Sequence, residues 1–363
     1  MKTTRYTTYL LFGIGLLLAL VATTNYIIDP ANIYRSTEDE DNSANAYATR
    51  LIQSEHGLLW PNHSWSEREI KQNLASKITN ADCAIIGSSR VMQISSLLEE
   101  PCFSEFSSSI VNLGVSGGSL EDYMALSWEL LQNSKRPSKI IFGIDPWALN
   151  WRQDSRWATY KESYNSMRML LTENAGDTSE TSSTTFNALQ NLINLEYFQR
   201  SLSMIGVETH TITEAPEFDP EFGIQHPVFR PDGSLVYSET IIKRAADPER
   251  KIEAGDYKII EHGTVISSAA FQLFKQLVLH LKSEGIEVHF MLIPYHHSVW
   301  ANQNSRVVAV MQEVETAVIG LADELDIAAW GSYNPKIVGC DSSGFYDYMH
   351  PKASSLIHIK RRN

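Results

Sequence analysis

Hydrophobic residues follow three rhythms along this chain. Over 6–28 they run without a charge and are dominated by Leu, Ile, Val, Gly and Ala, enough residues to cross a bilayer at about 1.5 Å per helical residue. From Cys83 onward, short runs rich in Ile and Val recur at 84–86, 110–113, 139–144 and 288–293, closing on Gly, Asn or Pro; these predict strands. Segments 120–131 and 269–282 place apolar residues at helical spacing, and 65–77 is a further helical candidate. Strands alternating with helices predict an α/β body with a largely parallel sheet and helices on both faces. Ligands bind such sheets beyond the carboxyl ends of the strands, where Ser88, Ser89, residues 114–118 and Asp145 fall.

Between about 152 and 262 the rhythm is lost. The stretch is rich in Ser, Thr and Glu near 173–184, contains Pro216, Pro220 and Pro227, and carries the turn signal Arg230-Pro231-Asp232-Gly233. It predicts a long insertion, partly helical over 187–203, lying over the carboxyl edge of the sheet and offering surface for substrate contact or simple decoration.

The amino-terminal run changes the picture of location. Lys2 and Arg5 precede it, Asp29-Pro30 closes it, and small residues at the offsets a signal peptidase needs are missing near Ala22 and Thr24. We therefore expect an uncleaved single-pass anchor over 1–28 in the cytoplasmic (inner) membrane, its positive flank in the cytoplasm and the remainder in the periplasm or outside. The alternative is a buried helix of a soluble protein. An adaptor over 29–80 would lead to the body over 81–363. A formal net charge of -13 with no basic stripe argues against a nucleic-acid partner. Three cysteines suit neither a disulfide-dense scaffold nor a zinc module; Cys83 reads as a buried thiol, and an oxidising compartment would permit a bridge between Cys102 and Cys340.

Candidate chemistry lies at the strand ends. The run 83–90 stops abruptly at Gly87-Ser88-Ser89-Arg90, where Gly87 allows a tight turn, and the next residues could start a helix whose N–H groups face a developing oxyanion. Ser89 is the candidate nucleophile and Ser88 its nearest competitor. The segment Asn112-Leu113-Gly114-Val115-Ser116-Gly117-Gly118 could bring backbone N–H groups to the same anion; it lacks the Gly-Lys-Ser/Thr ending of a phosphate loop. About 260 residues beyond Ser89, Asp347-Tyr348-Met349-His350 sets a carboxylate three positions before an imidazole. His350 could take the serine proton while Asp347 fixes its tautomer. A surface turn ended by Pro351 is the plain alternative, and a metal held by Asp347, His350, His296 and His297 would lack a compact ligand cluster of recognised spacing. No cofactor is called for.

In this order, Gly87-Ser88-Ser89, Asn112-x-Gly114-x-x-Gly117, the strand end Gly143-Ile144-Asp145, and Asp347-x-x-His350 resemble the four blocks of the SGNH, or GDSL-like, hydrolase superfamily, over roughly residues 80–355. The resemblance implies a flavodoxin-like three-layer α/β/α domain, with Ser89 as nucleophile, His350 and Asp347 completing the triad, and the N–H groups of Ser89 and Gly117 forming the oxyanion hole. In the third block this chain has Asp145 where typical members have an oxyanion-binding Asn, and a carboxylate cannot donate a hydrogen bond. The anchor, Gly-Ser-Ser-Arg and Asp145-Pro146-Trp147 look more like the extracytoplasmic branch that includes DltD-like and alginate-acetylation-like proteins. That branch implies an O-acyltransferase or esterase acting on cell-envelope or exported polysaccharide, beside a membrane-bound O-acyltransferase as partner. Arg90, Asp145, Trp147, Trp151, His296 and His297 are the candidate substrate contacts, with Arg152 and Trp157 extending the aromatic and basic cluster; Asp145 could instead point away and hold local structure, and the cluster could instead pack between insertion and core. Competing readings are a non-catalytic glycan-binding or scaffold component of a secretion complex, and a lipase or thioesterase with an apolar groove near Ser89.

Overall fold

The computed structural model describes residues 2–29, 34, 43–60, 66–98, 107–150, 156–175, 192–203, 205, 212–217, 224–245, 266–301 and 305–362. Helix α1 (Lys2–Ile28) contains one segment, Tyr9–Ile28, that is long and apolar enough to cross a membrane or to serve as a signal sequence. Helices α2 (Ala44–Gln53) and α3 (Glu67–Lys77) follow. A capping box starts α3, in which Glu69 accepts from the Ser66 N–H at 3.2 Å.

The body is a mixed α/β fold around a five-stranded sheet. Strands β2 (Cys83–Ile86), β3 (Ile110–Asn112), β4 (Lys139–Gly143), β7 (Glu287–Leu292) and β8 (Ala328–Gly331) lie in the order β3-β2-β4-β7-β8. Every pairing in it is parallel. The four predicted strands are present, each within a residue or two of its expected bounds. Helix α4 (Leu120–Gln132) links β3 to β4, α8 (Ser268–Ser283) precedes β7, and α9 (Arg306–Leu325) links β7 to β8.

Period-two alternation decides what each strand residue meets. Ala84 and Ile86 join Phe142, Phe290 and the apolar faces of α4, α8 and α9 in the main core, where Tyr123, Phe142 and Phe274 pack with ring centroids 5.4–6.2 Å apart. Such aromatic pairs contribute about 0.5–1.5 kcal/mol each beyond simple burial. Cys83 and Ile85 point the other way, into a smaller cluster with Val91, Ile94, Leu356 and Ile359. The two faces are thus covered unequally. Long helices cover one, whereas turns after β2 and the short helix Ala353–Leu356 cover the other.

The rhythm lost after 150 hides a helix of the body. Helix α5 (Lys161–Ala175) buries Tyr164, Met167 and Leu171 in the main core. Further on come α6 (Leu195–Ser203), β5 (Val228–Phe229), β6 (Leu235–Val236) and α7 (Glu239–Ala245). Strand β1 (Leu58–Leu59) pairs with β5, and β5 with β6, in a small antiparallel sheet that joins the adaptor to the insertion. The segment after β5 then reaches the sheet's carboxyl edge, where Leu235 N–H donates to Met92 O at 2.7 Å and Asn112 N–H to Asp232 O at 2.7 Å.

Candidate active site

Strand β2 ends at Ile86, and the chain turns through Gly87-Ser88-Ser89-Arg90. No helix follows. Val91 N–H bonds Ser88 O, Met92 N–H bonds Ser89 O and Ile94 N–H bonds Val91 O, the tight i to i+3 pattern of consecutive turns. The expected helix start is therefore corrected to a run of turns, and no helix macrodipole points at Ser89. The two serines diverge. Ser88 is fully buried and its Oγ accepts from the Arg90 N–H at 3.2 Å, whereas Ser89 is half-buried and meets His350.

Ser89 Oγ lies 2.9 Å from His350 Nε2, and His350 Nδ1 lies 2.8 Å from Asp347 Oδ2. The Asp347 contact holds the ring proton on Nδ1, so Nε2 is left to accept the serine hydroxyl. Asp347 also closes its own loop, because Oδ1 accepts the N–H groups of Met349 and His350, each at 2.8 Å. Burial pushes the Asp347 carboxyl up, but the hydrogen bond and charge of His350 and those two N–H groups outweigh it and hold the group below its ordinary range. Asp-x-x-His is thus a compact turn in which one carboxylate oxygen orders the backbone and the other orients the imidazole.

Long-range bonds carry that turn to Ser89. Arg90 Nε donates to Met349 O at 2.9 Å, and Gln93 bonds Pro351 O at 3.3 Å and the Tyr346 hydroxyl at 3.1 Å. The other Arg90 nitrogens bond Asp145 Oδ1 at 2.6 Å, Ile293 O at 2.5 Å and Pro294 O at 2.8 Å, and the guanidinium lies 3.7 Å from the Tyr295 ring centre. Both members of the Arg90–Asp145 pair are buried. Of the two readings of Asp145, this geometry matches the one in which it holds local structure: the charges of Arg90 and Asp145 satisfy each other behind the Ser89 turn. Asp145 lies in that pair rather than standing as an unpaired carboxylate.

Across the cleft, the Asn112–Gly118 segment approaches so closely that a Cβ on Gly118 would lie 2.5 Å from Gly87 O. Gly117 adopts φ +63, a left-handed conformation that favours glycine. The N–H groups of Ser89 and Gly117 bond no described residue, leaving both donors available to an anion. Trp147 is buried and its Nε1 donates to Gly118 O at 3.0 Å, so it braces this turn, in line with the packing alternative. His296 is buried with Nδ1 2.5 Å from Ser298 Oγ in its own loop, whereas His297 Nε2 donates to Cys340 O at 2.7 Å, a residue far along the chain. Trp157 packs partly buried against the main core, 4.7 Å from the Tyr164 ring. Trp151 and Arg152 lie outside the described residues, as does Cys102. Cys340 is a buried free thiol, bonded to Ser355 O at 3.5 Å, rather than half of a bridge. Among the described residues no group of three or more His, Cys, Asp and Glu side chains is placed to hold a metal.

Three contributors carry no signal in the sequence. Tyr237, from the insertion, donates its hydroxyl to Ser89 O at 3.3 Å and sets its ring edge-on to His350, centroids 6.1 Å apart. Burial, then the Asp347 and Glu67 carboxylates, push its phenol up. Arg68 of α3 forms a buried pair with Asp122, 2.6 Å and 3.0 Å to the two oxygens, and donates to Ser116 O at 3.2 Å. Lys71, one turn later, donates to Asn112 O at 2.8 Å and Gly233 O at 2.5 Å, and burial pushes it down to about 8. Only the separation of these residues in sequence concealed them.

No protein-family model matches this chain, and no curated protein does.

Proposed function

We propose that this chain is a membrane-anchored serine O-acyltransferase or esterase of the SGNH, or GDSL-like, type, acting on cell-envelope or exported polysaccharide outside the cytoplasmic membrane. The observation that carries the reading is the continuous hydrogen-bonded chain Ser89–His350–Asp347 at the carboxyl end of β2. The order β3-β2-β4-β7-β8 supports it, being the second-first-third-fourth-fifth arrangement of flavodoxin-like sheets, whose ligands bind where that order reverses. Helix α1 supports the anchor and, with its positive flank inside, an extracytoplasmic body. A membrane-bound O-acyltransferase is the partner that would deliver the acyl group.

In this mechanism Ser89 Oγ attacks the carbonyl carbon of an acyl donor as its proton passes to His350 Nε2. The resulting oxyanion is held by the N–H groups of Ser89 and Gly117, which have no partner among the described residues to give up. Collapse expels the donor's leaving group, which takes the proton from His350, and leaves an ester on Ser89. A sugar hydroxyl, or water, then gives its proton to His350 and attacks that ester, releasing acylated glycan or free acid and restoring the serine. Asp347 stabilises the imidazolium at each stage. Because Asp145 is neutralised by Arg90, its negative charge does not oppose the oxyanion.

The test is covalent labelling by a fluorophosphonate probe, with mass spectrometry of the chain after incubation with acetyl donors and candidate glycans. Ser89→Ala is expected to abolish labelling and the acyl adduct while keeping the wild-type melting temperature. Labelling that persists in Ser89→Ala refutes the nucleophile. A wild-type chain that neither labels nor acquires an acyl group turns the reading to glycan binding without catalysis.

A further inference from the structure

Helix α6 of the insertion is clamped to the far end of α1. Asn25, fully buried, donates to Leu192 O at 2.9 Å and Asn194 O at 3.3 Å and accepts from Ser201 Oγ at 3.0 Å. One helical turn on, the Tyr197 hydroxyl donates to Asp29 Oδ1 at 2.8 Å, and Tyr34 N–H donates to Asp29 Oδ2 at 2.8 Å. Tyr197 and Ser201, four apart, therefore form the face of α6 that meets α1. The adjoining stripe is apolar and uncovered. Leu195 and Leu202 are 66% and 47% exposed, and Ile193 and Ile205, beyond the two ends of the helix, are 55% and 60% exposed.

The depth of this clamp identifies what covers the stripe. Asn25 lies three residues inside the end of the apolar segment Tyr9–Ile28, hence about 4.5 Å below its end at 1.5 Å per residue. Helices that lie in a membrane interface bury their apolar face about 5–10 Å into the boundary between headgroups and acyl chains. Tyr26 and Ile27, in the same turn of α1 as Asn25, are exposed as well. We propose that α6 is an interfacial helix whose Leu195–Leu202 stripe, with Ile193 and Ile205, rests in the lipid headgroup and acyl boundary beside α1. This rests on the reading of α1 as a membrane anchor. It gives the body a second attachment to the bilayer.

The test uses the full chain carrying Cys102→Ser, reconstituted in nanodiscs of phosphatidylcholine and phosphatidylglycerol, with the environment-sensitive dye NBD on single introduced cysteines. Buried Cys83 and Cys340 stay unlabelled, which the parent without an introduced cysteine checks. Leu17→Cys reports on the anchor, Leu195→Cys and Leu202→Cys on α6, and Leu279→Cys on an exposed apolar position of the body. The proposal expects the Leu17 dye to be quenched by lipids spin-labelled deep in the acyl chain. The two α6 dyes should lose most of their emission to lipids labelled near the headgroup, and the Leu279 dye should lose none. A quenched Leu17 dye with α6 dyes that emit as in water overturns the proposal and leaves the anchor standing. Blue-shifted α6 dyes that no lipid label quenches mean that a second copy or another protein covers the stripe, and also overturn it. A Leu17 dye beyond the reach of every lipid label overturns the anchor and the proposal together, and quenching at Leu279 as well reduces the signal to adsorbed dye and overturns it too.

Discussion

The two walls of the cleft are held by the same device built in opposite ways. Behind the Ser89 turn, Arg90 pairs with Asp145 and directs its remaining donors to the backbone carbonyls of Met349, Ile293 and Pro294. Behind the glycine turn, Arg68 pairs with Asp122, whose carboxylate also accepts from the Ser119 N–H and hydroxyl and from the Tyr160 hydroxyl. On the first wall the arginine is the hub and the aspartate has one role; on the second the aspartate is the hub. A buried ion pair is weak evidence for stability, because desolvation offsets its attraction, and its removal is costly when one charge is left alone. These pairs are best understood as positioning devices, each sharing its charge with the loop that must stay still.

That contrast can be broken most severely at the relay itself. Asp347→Asn should keep the loop closed, since an amide oxygen still accepts the N–H groups of Met349 and His350, yet lower the rate of fluorophosphonate labelling by about 10⁴-fold by disturbing the His350 tautomer. A drop of less than about tenfold would remove the relay from the chemistry. Next in size, Arg90→Ala should cost about 3–5 kcal/mol in urea unfolding by stranding Asp145, and should also slow labelling because Met349 O loses its anchor. Arg68→Ala should cost about 3 kcal/mol, the lower end, since Asp122 keeps three other donors, and should slow labelling less than Arg90→Ala because Asp122 still holds the Ser119 N–H. Equal effects on labelling would erase the distinction between the walls.

A smaller effect separates the walls by pH. Lys71, which ties the glycine segment to the insertion, has a folded value of about 8 against 10.5 ordinarily, so between these values the unfolded chain holds a proton that the folded chain has lost. Stability should therefore rise with pH above about 8, until ionisation of tyrosines near 10 in the unfolded chain acts the other way. Lys71→Met should flatten that rise in urea titrations. The smallest change expected is Tyr237→Phe. Its 3.3 Å bond to Ser89 O is long, and its loss should cost about 1 kcal/mol or less, read as a small shift in the urea midpoint.

Legibility in the sequence divides along the same line. Ser89, Asp347 and His350 stood out because each lies where a local pattern breaks: a strand stopping at glycine, or a carboxylate able to reach an imidazole three residues on. The strands at 84–86, 110–113, 139–144 and 288–293 were legible because burial on both faces demands apolar runs. Strand β8, four residues reading Ala-Ala-Trp-Gly, and β1, β5 and β6, two residues each, carry too little pattern to be seen. Arg90, Asp145 and Trp147 show the opposite limit. Polar and aromatic residues at a strand end read equally well as ligand contacts or as internal braces, and nothing local separates the two.

The sequence by itself determined an apolar amino-terminal helix, a parallel α/β core and the candidate residues Ser89, Asp347 and His350, because periodicity, turn chemistry and short-range reach act between neighbours. Tertiary structure alone decided that Ser89 rather than Ser88 meets His350, that Asp145 is neutralised by Arg90, and that α3 and the insertion supply Arg68, Lys71 and Tyr237 to the cleft walls. Those outcomes depend on which surfaces pack together across hundreds of residues, and a buried charge takes the partner that packing brings to it.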